Sequence, residues 1–429
     1  MRRVWPLRII TAVICAALAI GAVVTAPEPG DQIANTELVK LLSMSAQEAK
    51  AYVKANPSLE MDLENIDPDA TAKWWKGQTG KERHDLIDEW PDYVGNLEGI
   101  DYGTRDRANR AHLPTAIAGA ENAIKRNPSN QTAMQTLKSL TAISATINGK
   151  RSPRRYLISL TDDQQPLAAI AIGNLDTARQ VTFNVPGMGT YTTDMQLWTQ
   201  TAVNVYLTQG EVGAPAKRSV VAWIGYQTPP PGVDATMGAY AARGALKLIT
   251  TIQGLQAIRK DVSKPSISVI AHSYGTTTAA DALAAVNLRI YAIVMLGSAG
   301  IELRIRNAAA LHSQFVYAGE AKHDTEARLG RASRTDPRSP SFGAIVFDVS
   351  GDSGTELLPV TGHAPALHSP WNDNPLSSAW SSITNPKAFE KAYAAHFTAY
   401  GYLDAGTQSL MNAAIASTAT ANQSLIRSR

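Results

Sequence analysis

From residue 156 onward, short apolar, β-branched runs alternate with longer helical stretches, and this alternation restricts the chain to a mainly parallel sheet wrapped by helices. The expected strands are 156–160, 167–172, 181–185, 219–224, 266–271, 290–295, 315–318 and 344–347. Residues 237–259 and 276–286, both rich in Ala, Leu and Ile, are the clearest helices between them. Ahead of this half the chain reads differently. Residues 35–145 are helix-rich, with Leu38, Leu41, Leu42 and then Leu137, Leu140, Ile143 recurring at helical spacing and few strand signals. A polar segment, 148–155, with Lys150, Arg151, Arg154 and Arg155 around Pro153, reads as a solvated linker between the halves.

The first residues read as a targeting signal, because Arg2, Arg3 and Arg8 precede an uncharged run of Ile, Ala, Val and Leu from Ile9 to Ala26. Export from the cytoplasm is the expectation, whether the segment is cleaved or stays as an anchor that associates the chain with a membrane. The expected organisation is therefore 1–30 signal peptide or anchor, 31–150 helical region, and 151–429 the sheet-bearing domain.

Composition narrows the chemistry. The formal charge of +3 is matched by the three arginines of that leader, so the body is near neutral and nothing in it asks for nucleic acid. Cys15, the one cysteine, lies inside the leader, which removes disulfides, thiolate metal sites and thiol catalysis from the body. With 44% hydrophobic and 18% charged residues over 429 positions, the chain can bury a sizeable core without them.

The sharpest local feature is Ser266-Ile-Ser-Val-Ile-Ala271-His272-Ser273-Tyr274-Gly275, a β-branched run that feeds a small-x-Ser-x-Gly turn and then a helical stretch. A turn of that kind lifts a serine hydroxyl out of the sheet, small residues on either side let neighbouring backbone pass, and the helix N-terminus favours negative charge beside the hydroxyl. Ser273 is thus the expected nucleophile of an α/β-hydrolase fold. Upstream, Val185-Pro186-Gly187-Met188-Gly189-Thr190 follows a strand and offers close backbone approach. The amides of Gly187 and Met188, with that of Tyr274, are the expected oxyanion hole. A phosphate cradle is excluded by the absence of the G-x-x-x-x-G-K-[ST] spacing and its lysine.

Several motifs together carry a family resemblance: Trp223-Ile-Gly225-Tyr226-x-x-Pro229, Val185-Pro-Gly-x-Gly189, His272-Ser273-Tyr274-Gly275 and Ser341-Phe-Gly343-Ala344. They resemble the actinobacterial α/β-hydrolases long catalogued as a domain of unknown function. Trp74-Trp75, Pro91-x-x-x-Gly95-Asn-Leu-x-Gly99 and Arg105-Asp106-x-Ala108-Asn109 look like the helical region that often precedes that domain. The resemblance runs over about residues 70–400. It implies a Ser/Asp/His triad and no particular substrate.

Chain order in this fold is nucleophile, acid, histidine. After the run 315–318 come Glu320 and Asp324, and Asp324 best fits the family's acid position, with Glu320 second. Two histidines follow. The family's histidine resembles Gly-His-Ser-x-Tyr, a pattern this sequence splits: His363 keeps the glycine, whereas His368 keeps the serine and has Trp371 three residues on. His368 is preferred as the base and His363 is the alternative. His272 reads as packing. Trp223, Tyr226, Tyr191 and Trp371 are equally open to lining an acyl pocket or to packing in the core.

These readings point to hydrolysis of a small-molecule or lipid-like carboxylic ester through an acyl-enzyme, with no cofactor or metal expected. The rivals are an exported acyltransferase using the same triad and a catalytically silent hydrolase scaffold that binds a lipid or a cell-envelope partner.

Overall fold

The computed structural model describes residues 55, 67–148, 152–161, 165–368 and 398–426. The leader, Cys15 and Trp371 lie outside the described residues. No helix among the described residues is long and apolar enough to cross a membrane.

Among the described residues five helices come first: α1 (Pro68–Gly77), α2 (Gly80–Glu89), α3 (Pro91–Asn96), α4 (Tyr102–Arg126) and α5 (Gln131–Ile147). Their starts follow from capping chemistry. Thr79 and Glu82 form a reciprocal capping box at α2, and the Asp101 carboxylate accepts from the Thr104 amide at α4. Then follow β1 (Arg155–Leu160), β2 (Ala168–Ile172), β3 (Gln180–Val185), α6 (Met195–Glu211), β4 (Arg218–Ile224), α7 (Ala239–Ile258), β5 (Ser266–His272), α8 (Gly275–Ala285), β6 (Ile290–Leu296), β7 (Ser313–Gly319), α9 (Thr325–Gly330), β8 (Ile345–Val346) and α10 (Gln408–Ala416). Each expected strand has its counterpart.

The eight strands form one sheet in the order β1-β2-β4-β3-β5-β6-β7-β8. β2 runs antiparallel to both β1 and β4, and every other neighbouring pair is parallel. Central strands are buried on both faces, so their sequences are continuous apolar runs and not alternating ones. Successive residues still divide between the faces. Val269 and Ala271 of β5 face a core with Leu248, Ile252 and Leu255 of α7, while Ile270 faces the opposite core with Trp198 of α6 and Leu410 of α10.

The helical region is built into this second core: Leu113 and Ala120 of α4 and Leu140, Ile143 and Ile147 of α5 pack with Ile170, Val220 and Ala222 of the sheet. Its polar motifs have a defined task. The outer edge of β1 would otherwise present unpaired backbone groups. Asp106 accepts from the Leu157 amide at 2.7 Å, Asn109 donates to the Leu157 carbonyl at 3.0 Å, and Asn96 both accepts from and donates to Leu160 at 2.8 and 2.6 Å. Arg105, buried against Glu98 at 2.6 Å, donates to the Gly95 carbonyl and locks the same corner. Trp75 anchors a smaller cluster with Leu86, Val94 and Ile100, its indole donating to Asp101 at 3.1 Å.

Of the segment expected as a solvated linker, Lys150 and Arg151 lie outside the described residues, while Arg154 and Arg155 are more tightly held than their charge suggests. Arg155 opens β1 as a buried residue and donates to the Thr146 carbonyl at 2.7 Å, and Arg154 reaches Asp106 at 3.3 Å while covering the Tyr156 ring. Their long stems pack on apolar surface while the guanidinium groups find acceptors.

Candidate active site

β5 lies between β3 and β6 in the middle of the sheet, and its carboxyl end leads through Ser273 into α8. Ser273 has φ 54°, a left-handed conformation that costs a non-glycine residue energy and is held here by the surroundings. Its amide donates to the Leu296 carbonyl at 3.0 Å, and its carbonyl accepts from the amide and hydroxyl of Thr276. Two glycines make room for the turn. A Cβ on Gly275 would lie 2.5 Å from the Pro186 carbonyl oxygen and 2.6 Å from that of Val185, and one on Gly187 would lie 2.6 Å from the Ser273 Cβ. The loop after β3 therefore passes against the serine at backbone distance.

That loop is fixed from one side. The Tyr226 hydroxyl donates to the Pro186 carbonyl at 2.8 Å, the Gly189 amide to the Pro229 carbonyl at 2.9 Å, and the Thr228 hydroxyl to the Thr190 carbonyl at 3.0 Å. With the Gly189 amide so engaged, the amides of Gly187 and Met188 are the ones not taken by an acceptor among the described residues, and the same holds for Tyr274 at the cap of α8. Gly187 thus lies against Ser273, with Met188 next along the loop and Tyr274 next along the turn. The Tyr274 side chain serves elsewhere: its hydroxyl donates to the Met237 carbonyl and accepts from the Ala241 amide at 3.0 Å, tying the start of α7 to the turn. Burial pushes that phenol up to about 12.

The histidine in contact with Ser273 is His363. Its Nε2 is 2.7 Å from the Ser273 Oγ, and its Nδ1 is 2.8 and 2.9 Å from the two carboxylate oxygens of Asp324. With Nδ1–H donating to the carboxylate, Nε2 is left to accept from the serine hydroxyl. The expectation of His368 is corrected: its Nε2 contacts the Ala399 carbonyl at 2.9 Å, its amide donates to Asp404 at 3.0 Å, and its ring packs on Tyr400. The tyrosine that reaches Asp324 is Tyr402, much further along the chain.

Asp324 is fully buried at the cap of α9, where it also accepts from the Ala327 amide at 2.9 Å and the Tyr402 hydroxyl at 2.7 Å. Burial pushes its carboxyl up, but the hydrogen bonds and charge of His363, the Ala327 amide and the Tyr402 hydroxyl outweigh that, and the net shift is downward. Glu320 is committed to a buried ion-pair cluster with Arg331 and with Arg338 at 3.0 Å, which holds the turn after β7. His272 faces away from the serine and bonds through Nε2 to the His363 carbonyl at 2.7 Å. Burial, and then the neighbouring His363, push its imidazole down to about 3, so it is neutral and donates there. Trp223 and Tyr226 stack in the core, and Tyr191 is half-buried. Among the described residues, no cluster of three His, Cys, Asp or Glu side chains is placed to hold a metal ion.

Residues 162–332 match the model of a family described as alpha/beta hydrolase. An uncharacterized protein of Mycobacterium tuberculosis is 29% identical over 329 residues, covering 64% of this chain and 49% of its own length, so the chain spans about half of that relative. An uncharacterized protein of Mycobacterium bovis is 27% identical over 217 residues, covering 49% of this chain and 77% of its own. Among solved structures, a dienelactone hydrolase from Anabaena variabilis is 13% identical, with 58% of this chain and 97% of that one covered at a TM-score of 0.31. A fungal esterase from Rhizomucor miehei is 11% identical, with 66% and 97% covered at 0.32. Likenesses this low carry no argument, and the fold rests on the strand order of the chain itself. Through the matched segment and the sheet built around it, the chain has an α/β-hydrolase fold and is similar to uncharacterized mycobacterial proteins.

Proposed function

We propose that this chain is an exported serine hydrolase that cleaves carboxylic esters through an acyl-enzyme. The observation that carries the reading is the continuous line from Ser273 Oγ to His363 Nε2 at 2.7 Å and from His363 Nδ1 to Asp324 at 2.8 Å. In this reading His363 takes the serine proton as Oγ attacks the ester carbonyl carbon. The oxyanion forms against the amides of Tyr274 and the Gly187–Met188 stretch, at the positive end of α8. The imidazolium, steadied by the Asp324 carboxylate, then protonates the departing alcohol oxygen. A water molecule deprotonated by His363 attacks the acyl carbon, and the proton returns to Ser273 as the acid leaves.

A fluorophosphonate probe followed by peptide mapping tests the mechanism: label on Ser273 supports it, and an unlabelled folded protein overturns it. A panel of esters of increasing acyl length then reads the substrate class. Export rests on the basic and apolar residues before Ala26. It is tested by fusing that segment to a reporter active only outside the cytoplasm, where a silent reporter removes it from the proposal.

A further inference from the structure

Asp324 and His363 come from separate loops, one after β7 and one far downstream, yet they must hold a single relative geometry for the imidazole to face Ser273. One residue touches both loops. The Tyr402 hydroxyl donates to Asp324 Oδ2 at 2.7 Å and accepts from the Ala321 amide at 2.9 Å, while its backbone amide donates to the Ala364 carbonyl, next to His363, at 3.0 Å. The side chain is fully buried and its ring lies 5.5 Å from that of His272, which in turn holds the His363 carbonyl. On its other side Gly297 is bare of a side chain, and a Cβ there would lie 2.9 Å from the Tyr402 ring and 2.7 Å from Asp324 Oδ2.

We infer that Tyr402 is a positioning residue of the reaction, fixing the acid through its hydroxyl and the histidine loop through its backbone amide. This rests on the triad proposed above. The carboxylate shows why the hydroxyl matters. Oδ1 accepts from His363 and the Ala327 amide, whereas Oδ2 accepts from His363 and Tyr402. Without the phenol, Oδ2 depends on the imidazole alone, so the carboxylate plane is less constrained and its negative charge less satisfied. A more basic Asp324 holds the imidazole proton more strongly, and His363 gains basicity. The other titratable and charged groups around the pair are His272 from β5 and Glu320 after β7, with Arg331 and Arg338 against Glu320. None of them is removed in the test below.

The experiment is Tyr402→Phe in the full chain, read by ester kinetics and by NMR titration of the His363 imidazole. The expected result is a drop in kcat of about tenfold to a hundredfold with KM little changed, the usual scale for losing a hydrogen bond one step out from the reacting groups. The His363 titration and the acid limb of kcat/KM should both move to higher pH. A lower melting temperature with the His363 titration unmoved assigns Tyr402 to packing and overturns the inference. Because the titration reads the pair directly, a shifted titration in a chain whose Ser273 takes no fluorophosphonate overturns the hydrolase proposal, and with it a role in the reaction, and leaves only the hold of Tyr402 on the Asp324–His363 pair standing. Should Tyr402→Phe not fold, 3-fluorotyrosine at position 402 supplies a stronger donor. It must move the His363 titration to lower pH, and no movement overturns the inference.

Discussion

The Tyr226 hydroxyl donates to the Pro186 carbonyl at 2.8 Å, so the loop that faces Ser273 hangs from a residue at the far end of β4. The amides proposed to meet the oxyanion lie immediately after that carbonyl. Tyr226→Phe keeps the stack on Trp223 but frees the loop. We expect kcat to fall by about tenfold with KM nearly unchanged, since the interaction matters most in the transition state, and stability to drop by about 1–2 kcal/mol. Steady-state kinetics beside urea unfolding measures both, and a loss of stability with normal kcat would make Tyr226 purely structural.

Ser273 carries both the hydroxyl and a strained backbone. Ser273→Ala should abolish labelling and lower kcat by about 10³-fold or more, with the fold intact. Ser273→Gly should be equally inactive yet more stable than the parent by about 1 kcal/mol, because glycine adopts φ 54° without strain. Thermal melts of the two variants decide it, and a glycine variant no more stable than the alanine one would mean that the turn stores no strain.

His363→Ala should lose nearly all turnover, since it removes the group 2.7 Å from the serine hydroxyl. His368→Ala should retain most of it, because that ring meets Ala399 and Tyr400. Comparing kcat for the two purified variants tests the geometry, and the reverse order would refute it.

Gly275→Ala places a methyl group 2.5 and 2.6 Å from two backbone oxygens of the loop after β3. Backbone cannot swing aside as a side-chain end does, so the loop and the turn must separate. The expected outcome is a loss of roughly 1–3 kcal/mol and of most activity. A fully active, equally stable variant would show that the two segments are not in contact.

The His272 imidazole falls from an ordinary value of 6.5 to about 3, chiefly through burial. The unfolded chain therefore binds a proton that the folded chain refuses throughout that window. The stabilisation from neutral His272 is complete above about pH 6.5 and is lost as pH falls toward 3, amounting to roughly 5 kcal/mol at most. His272→Asn should flatten the fall of unfolding free energy with acidity over that range. Urea melts across the window give the two slopes, and parallel slopes would refute the assignment.

Much of the fold is legible in the residues because its causes are local. Central strands such as Phe183 in β3 and Val269 in β5 are buried on both faces, so they read as unbroken apolar runs. The serine turn is equally local: a β-branched run, a small residue, and glycine where the neighbouring loop passes. The eight strands and the contact between Ser273 and the Gly187 loop follow from such signals.

The choice of histidine was of another kind. Asp324, His363 and Tyr402 meet where separate stretches of chain are joined, the Tyr402 amide donating to the Ala364 carbonyl and the Leu403 amide to that of Pro365. Local spacing cannot report such a closure, and it favoured His368, whose neighbours only looked like the right ones. The role of the helical region was hidden for the same reason, since Asn96, Asp106 and Asn109 take their meaning from the edge of β1, which comes after all three in the chain. By itself the sequence determined the strands, the serine turn and the loop facing it, through hydrophobic pattern and backbone sterics acting over a few residues. Tertiary structure alone decided which histidine meets Asp324, because that depends on hydrogen bonds between segments that only the folded chain brings within reach.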